Sequence, residues 1–242
     1  MTQETNSASR LLRLMTNARD RHASMPTHTQ WAERFELDVT ETTPLLIAVM
    51  EHLIWVNEEI SSVRRGMEKT GMPPFLYAPH LDSLQNCLSP LQFNNDWINV
   101  KVALSNEALV SLGYCAEILP KDETEVSADD LEAIRGLLSE FEVLLSVSTL
   151  PEVLRQVMQH HVELLHRALC RYPHGGIKSL KEAAFTAAGE LLCLKAAGVN
   201  VSDSEEGKKL DELWSRVNTV ADAAIKVEGL YGLGKTVMDL IA

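Results

Sequence analysis

"PLLIAVMEHLIWVNEEISSVRRGMEKTG", residues 44–71, decides the fold class. Leu46, Val49, Leu53, Val56, Ile60, Val63 and Met67 recur at alternating steps of three and four. That is the period of an α-helix turning one face to a core. Ile47, Met50 and Ile54 widen the stripe in its first half. A helix over 43–70 is therefore expected to start deeply buried and to emerge at a charged end around Arg64 and Arg65. Thr43 and Pro44 supply an N-cap and a first-turn proline, and Gly71 a stop.

The same period recurs downstream. In "SADDLEAIRGLLSEFEVLLS" (127–146), Ser127 and Asp130 stand at capping positions, and Leu131, Ile134, Leu138, Phe141 and Leu145 share one face. "TLPEVLRQVMQHHVELLHRALCRYP" (149–173) opens with Thr149 as cap and places Leu154, Val157, His161, Leu164 and Ala168 on its stripe. In the next helix Ile177, Leu180, Ala184, Ala187, Leu191 and Leu194 form the seam. Such helices bury their seams only against one another. His161, on an apolar stripe, is expected to be neutral and buried, because an unpaired buried charge is expensive.

Shorter helices are expected over about 6–21, in "THTQWAERFELD" anchored by Trp31 and Phe35, near 79–87, over 96–104, and over 106–119 with a break at Ser105. No alternating strand pattern and no internal repeat stands out. The expected fold is all-α, a multi-helix bundle of about eight to ten helices with no sheet. "PKDETEVSADDLE" (120–132) packs six acids against one lysine after a proline. It either divides a helical region 1–120 from an antiparallel bundle 121–242, or forms an exposed loop within one domain.

Composition narrows the function classes. The chain has 242 residues, 45% hydrophobic but only 5% aromatic, so its core is built from Leu, Val, Ala and Met, a mixture suited to helices. A formal net charge of −12 opposes broad electrostatic attraction to DNA or anionic membranes. Cys87, Cys115, Cys170 and Cys193 lie far apart without a C-x-x-C pair, as reduced thiols of a cytosolic protein would. The first twenty residues lack the apolar core of a signal peptide, and no run of eighteen apolar residues predicts a membrane span. A cytoplasmic location is expected.

Three motifs touch on chemistry. "GLYGLGKT" (229–236) has the spacing of a Walker A loop. Such a loop needs a preceding strand, a helix starting at Lys-Thr and a parallel sheet, and none of these is expected here. ATP and GTP are not expected to bind. The glycines instead suit a terminal segment, 216–242, ordered by contact with its own bundle, a second chain or, least of all, a membrane. Deleting that segment is expected to lower stability and disrupt any oligomer. Glu163 and His166 form one E-x-x-H, which a di-iron bundle would need in duplicate along with two further glutamates. No metal or other cofactor is therefore expected.

Arg155-Gln-Val-Met-Gln-His160 resembles the R-x4-H motif of HEPN ribonucleases, small helical proteins that dimerise. The resemblance covers six residues. It implies that Arg155 stabilises phosphate charge and His160 moves the proton of a ribose 2′-hydroxyl, without a metal. On a regular helix the two positions stand about 140° apart, so joint action requires an irregular helix.

More broadly, "WAERFELD", "LSPLQFNNDW", "GYCAEIL" and "RYPHGGIKSLKEAAFTAAGELL" resemble uncharacterised cytosolic helical proteins of bacteria. That resemblance implies an accessory role at a mobile, toxin or antiviral defence locus. The leading expectation is a helical protein–protein interaction protein, not an enzyme, that docks to a protein partner or to itself as a homo-oligomer. The alternative is a metal-independent HEPN-like endoribonuclease, under which alone RNA would bind.

Overall fold

The computed structural model describes residues 3–20, 25–198 and 204–225. It divides into two compact units, Thr5–Lys121 and Met1–Glu4 together with Asp122–Ala242. The class is all-α, with ten α-helices among the described residues. The expectation of no sheet needs correction, because β1 (Glu4–Thr5) pairs with β2 (Glu123–Thr124). Two residues per strand are too few to impose an alternating pattern on the sequence.

The first unit contains α1 (Ser7–Arg19), α2 (Thr27–Arg34), α3 (Thr42–Glu68), α4 (Ala78–Asn86), α5 (Ile98–Ala103) and α6 (Asn106–Ile118). Single 3-10 turns at Pro74–Leu76 and Pro90–Gln92 flank α4. Helix α1 packs against α3 and α6. Asn6 starts it with a capping box, its side chain accepting from Ser9 N while Ser9 Oγ accepts from Asn6 N, both at 2.9 Å. The same amide donates to the carbonyls of Ala116 and Leu119 at 3.0 Å, tying the start of α1 to the end of α6. Arg10 and Glu59 form an ion pair at 3.0 Å with side chains only 4% and 2% exposed. Trp31 stacks on Phe35 and meets Trp97 edge-on, and Phe35 in turn stacks on His52.

Helix α3 corrects two expectations. Glu41 precedes it without a side-chain cap, and the helix already includes Thr42. Its burial also runs the other way: Ile47, Met50 and Ile54 are 62%, 41% and 56% exposed, whereas Val56, Ile60, Val63 and Met67 are buried. The reason is the supply of neighbours. The first half meets the end of α2 through His52 and Phe35. The second half meets α1 through Glu59, α4 through Arg64 and Asp82, and Leu119 through Gly66.

In the second unit α7 (Ala128–Ser146), α8 (Glu152–Gly175), α9 (Ile177–Ala196) and α10 (Glu205–Ala224) form an antiparallel four-helix bundle. Each helix packs on the next, and α10 closes on α7. Ser127 and Ser204 cap α7 and α10. The acid-rich segment is tied down, since Glu123 Oε2 accepts from Ile177 N at 3.2 Å and Tyr172 Oη from Val126 N at 2.8 Å. Helix α8 starts after Pro151, so Thr149 is not its cap. Its buried seam is Met158, His161, Val162, Leu165, Ala168 and Leu169, whereas Leu154, Val157 and Leu164 are half-buried. The expected stripe was thus rotated around the helix, with His161 and Ala168 common to both. No helix among the described residues is long and apolar enough to cross a membrane. The Walker-like stretch 229–236 and most of the terminal segment lie outside the described residues.

Candidate functional site

Helix α8 leaves one face uncovered, with Val153, Gln156 and His160 exposed. Between the first half of α8 and the second half of α9 lies an open groove of about 690 Å³. Helix α8 contributes Val153, Gln156, Val157 and His160, and α9 contributes Phe185, Gly189, Glu190 and Cys193. Phe185, Gly189 and Cys193 recur at i, i+4 and i+8, a second stripe beside the alanine seam of Ala183, Ala184, Ala187 and Ala188. The alanines let α9 approach the bundle closely. Gly189 deepens the groove, because a Cβ built there meets no atom within 4 Å.

One wall is polar. His160 Nε2 donates to Glu190 Oε1 at 3.1 Å, and His161 Nε2 faces Glu190 Oε2 at 3.3 Å, close but not aligned as a hydrogen bond. Behind them, the Trp214 indole N–H of α10 donates to His161 Nδ1 at 3.0 Å. An indole nitrogen only donates, so Nδ1 is an acceptor and the proton sits on Nε2. A second proton would set two N–H groups against each other. Full burial pushes the His161 pKa down to about 4, against the upward pull of Glu190. The expected neutral, buried His161 is thus what the bundle contains.

This chain of contacts also decides a metal question. Two imidazoles around a carboxylate form a familiar ligand set, but both His161 nitrogens are committed, one to accepting and one to carrying a proton. A coordinating nitrogen needs a free lone pair, so His161 cannot ligate here. Among the described residues no group of three His, Cys, Asp or Glu side chains is placed to hold a metal ion. His166 of the E-x-x-H pairs with Glu142 of α7 at 2.8 Å.

Arg155 and His160 are not brought together. Arg155 turns back one turn to bond Glu152, and with Gln156 it holds the Glu152 carboxyl below the usual range. His160 instead looks across to Glu190 on α9. Helix α8 runs unbroken through both positions, which keeps their angular separation. Nor does His160 engage a nucleophile, since Thr186 donates its hydroxyl to the Glu182 carbonyl. The groove can therefore hold an apolar segment against a carboxylate, but it offers no assembled acid–base–nucleophile set.

Sequence reasoning missed Phe185, Gly189, Glu190 and Cys193. Their i+4 spacing is a signal, but their meaning depends on where neighbouring helices stop. Compared with protein-family models, curated proteins and solved structures, the chain matches none of them.

Proposed function

We propose that this chain is a helical interaction protein that docks an amphipathic helix of a partner protein in the α8–α9 groove. The observation that carries this reading is the groove itself, an apolar trough between two well-packed helices with one carboxylate on its wall. Helix-in-groove recognition uses that shape, with anchors at i, i+4 and i+7 of the guest. Charge indicates the guest's chemistry. Residues 122–242 carry 20 Asp and Glu against 12 Lys and Arg, while residues 5–121 carry 13 against 10. A partner helix with Lys or Arg along its margins complements the acidic unit. Membership of a bacterial cytosolic complex, including one of a defence or toxin-type locus, belongs to this proposal and rests on resemblance alone.

The test uses a groove-filling variant. Gly189→Trp projects into the open space where a Cβ meets nothing, so the helical circular dichroism should be unchanged. Complexes isolated from the native host with wild type should contain a discrete protein in fixed ratio, which Gly189→Trp loses. If every stoichiometric partner survives the substitution, the reading fails. If purified protein cleaves RNA without added metal and His160→Ala abolishes cleavage, the ribonuclease reading replaces it.

A further inference from the structure

A second hollow lies wholly within the unit Thr5–Lys121, between the end of α3, the start of α4 and the outer face of α6. Its volume is about 440 Å³, within the range of about 300–1,000 Å³ that small-molecule sites occupy. Met67, Tyr77, Ser111 and Cys115 form a buried floor, whereas Val110, Tyr114 and Ile118 form an exposed rim. A buried floor beneath an exposed rim makes a cavity rather than a flat patch.

The sequence stiffens one wall. Pro73 and Pro74 fix two φ angles in the turn that leads to Leu76. Ser111 Oγ donates to the Leu76 carbonyl at 3.0 Å, which fastens that turn to α6. The space is therefore preformed, and filling it needs little rearrangement.

The lining selects the guest. Glu107, Ser111, Tyr114 and Ile118 share one face of α6, a run of about 16 Å from carboxylate to isoleucine. Glu107 is the one carboxylate among the described lining residues. Its own backbone N–H and the Ser105 hydroxyl hold it below the usual carboxylate range, so it is charged at neutral pH. Among the described residues no Lys or Arg closes an ion pair on it, and Arg19, whose charge it feels, bonds Asn106 instead. Tyr77 and Tyr114 add two aromatic rings, whose faces attract cations. Met67, Val110 and Ile118 supply apolar surface beyond them.

We propose that this cavity binds a small organic cation, an ammonium group carried on an apolar body. Glu107 opposes the ammonium, and the apolar body lies along α6 toward Ile118. An anion of the same length would set its charge against Glu107. This site stands whether or not the α8–α9 groove holds a partner.

The probe is decyltrimethylammonium, kept below its micelle concentration. Isothermal titration of the full-length protein at pH 8, above the range in which histidine ordinarily titrates, should saturate at one ligand per chain. Decanoate should bind at least tenfold more weakly. Glu107→Gln should weaken binding of the cation at least tenfold and leave the helical circular dichroism unchanged. Tyr114→Ala, on the exposed rim, should weaken it at least threefold. Glu117→Gln removes the same charge from the same helix outside the cavity and should change nothing. Absence of saturable binding, equal binding of decanoate, or a cation affinity unmoved by Glu107→Gln would each overturn the proposal. So would an equal loss in Glu117→Gln, which would reduce the binding to attraction by the net charge of −12.

Discussion

The unit from Thr5 to Lys121 buries a full ion pair, Arg10 with Glu59, whereas the unit from Asp122 onward keeps its fully buried His161 uncharged. The first has short helices interrupted by 3-10 turns, and directional polar contacts fix their register. Asn6 holds two carbonyls of the α6 end, and the Trp97 indole donates to the Ala18 carbonyl at 3.1 Å. The second has long helices whose continuous seams fix their own register, so few buried polar contacts are needed there. Irregular packing thus relies on hydrogen bonds to choose one arrangement, and regular packing relies on periodicity.

Breaking the ion pair attacks this contrast hardest. Glu59→Ala takes the 3.0 Å carboxylate away from the buried Arg10 guanidinium, a loss of about 3–5 kcal/mol. Urea unfolding followed by tryptophan fluorescence should show it, and a loss below about 1 kcal/mol would break the comparison. Replacing both partners at once, Arg10→Met with Glu59→Leu, should cost less than Glu59→Ala alone.

For His161 the sign follows from its depressed folded-state pKa. Between about 6.5 and about 4 the unfolded chain binds a proton that the folded chain refuses, so stability falls as pH drops through that window and levels off below it. The fall should be on the order of 3 kcal/mol. Urea unfolding at pH 7, 5.5 and 4 measures it, and His161→Leu should reduce the fall, leaving the part due to His52, whose pKa burial also lowers. That substitution also strips the Trp214 N–H of its acceptor, so it should destabilise the protein at neutral pH by about 1–3 kcal/mol.

Asn6→Ala comes next, at about 2 kcal/mol, because it removes a helix cap and orphans two carbonyls together. Amide exchange should quicken in α1 and at the end of α6, and loss of protection confined to α1 would contradict the clamp. The smallest effect is a gain. Gly136 is exposed in the middle of α7 with nothing near its would-be Cβ. Gly136→Ala should therefore stabilise the protein by about 0.5–1 kcal/mol, seen as a raised Tm.

The sequence disclosed helices well where caps and seams coincide. Ser105 and Ser127 mark their helix starts, and Ile134, Leu138, Phe141 and Leu145 all face the core. It misled where burial depends on how many neighbours a helix has, as at Ile47, Met50 and Ile54. Arg10 and Glu59 stand 49 positions apart on different helices, and nothing in helical periodicity joins them. The groove was illegible for a related reason: a missing neighbour leaves no mark on the residues it fails to cover. His161 was legible because an imidazole on an apolar stripe has few options, but its Trp214 partner was not.

Gly176 alone joins α8 to α9, at φ 61° and ψ −154°, a region that side-chain-bearing residues scarcely visit. So abrupt a link makes the hairpin's contacts local, and local contacts form fastest. The first unit closes only when Asn6 meets Leu119, 113 positions later. During synthesis at about 5–20 residues per second, α1 therefore waits roughly 6–23 s for its clamp. The part of the chain made first must hold an apolar face open on the ribosome, while the hairpin made later can collapse as it emerges.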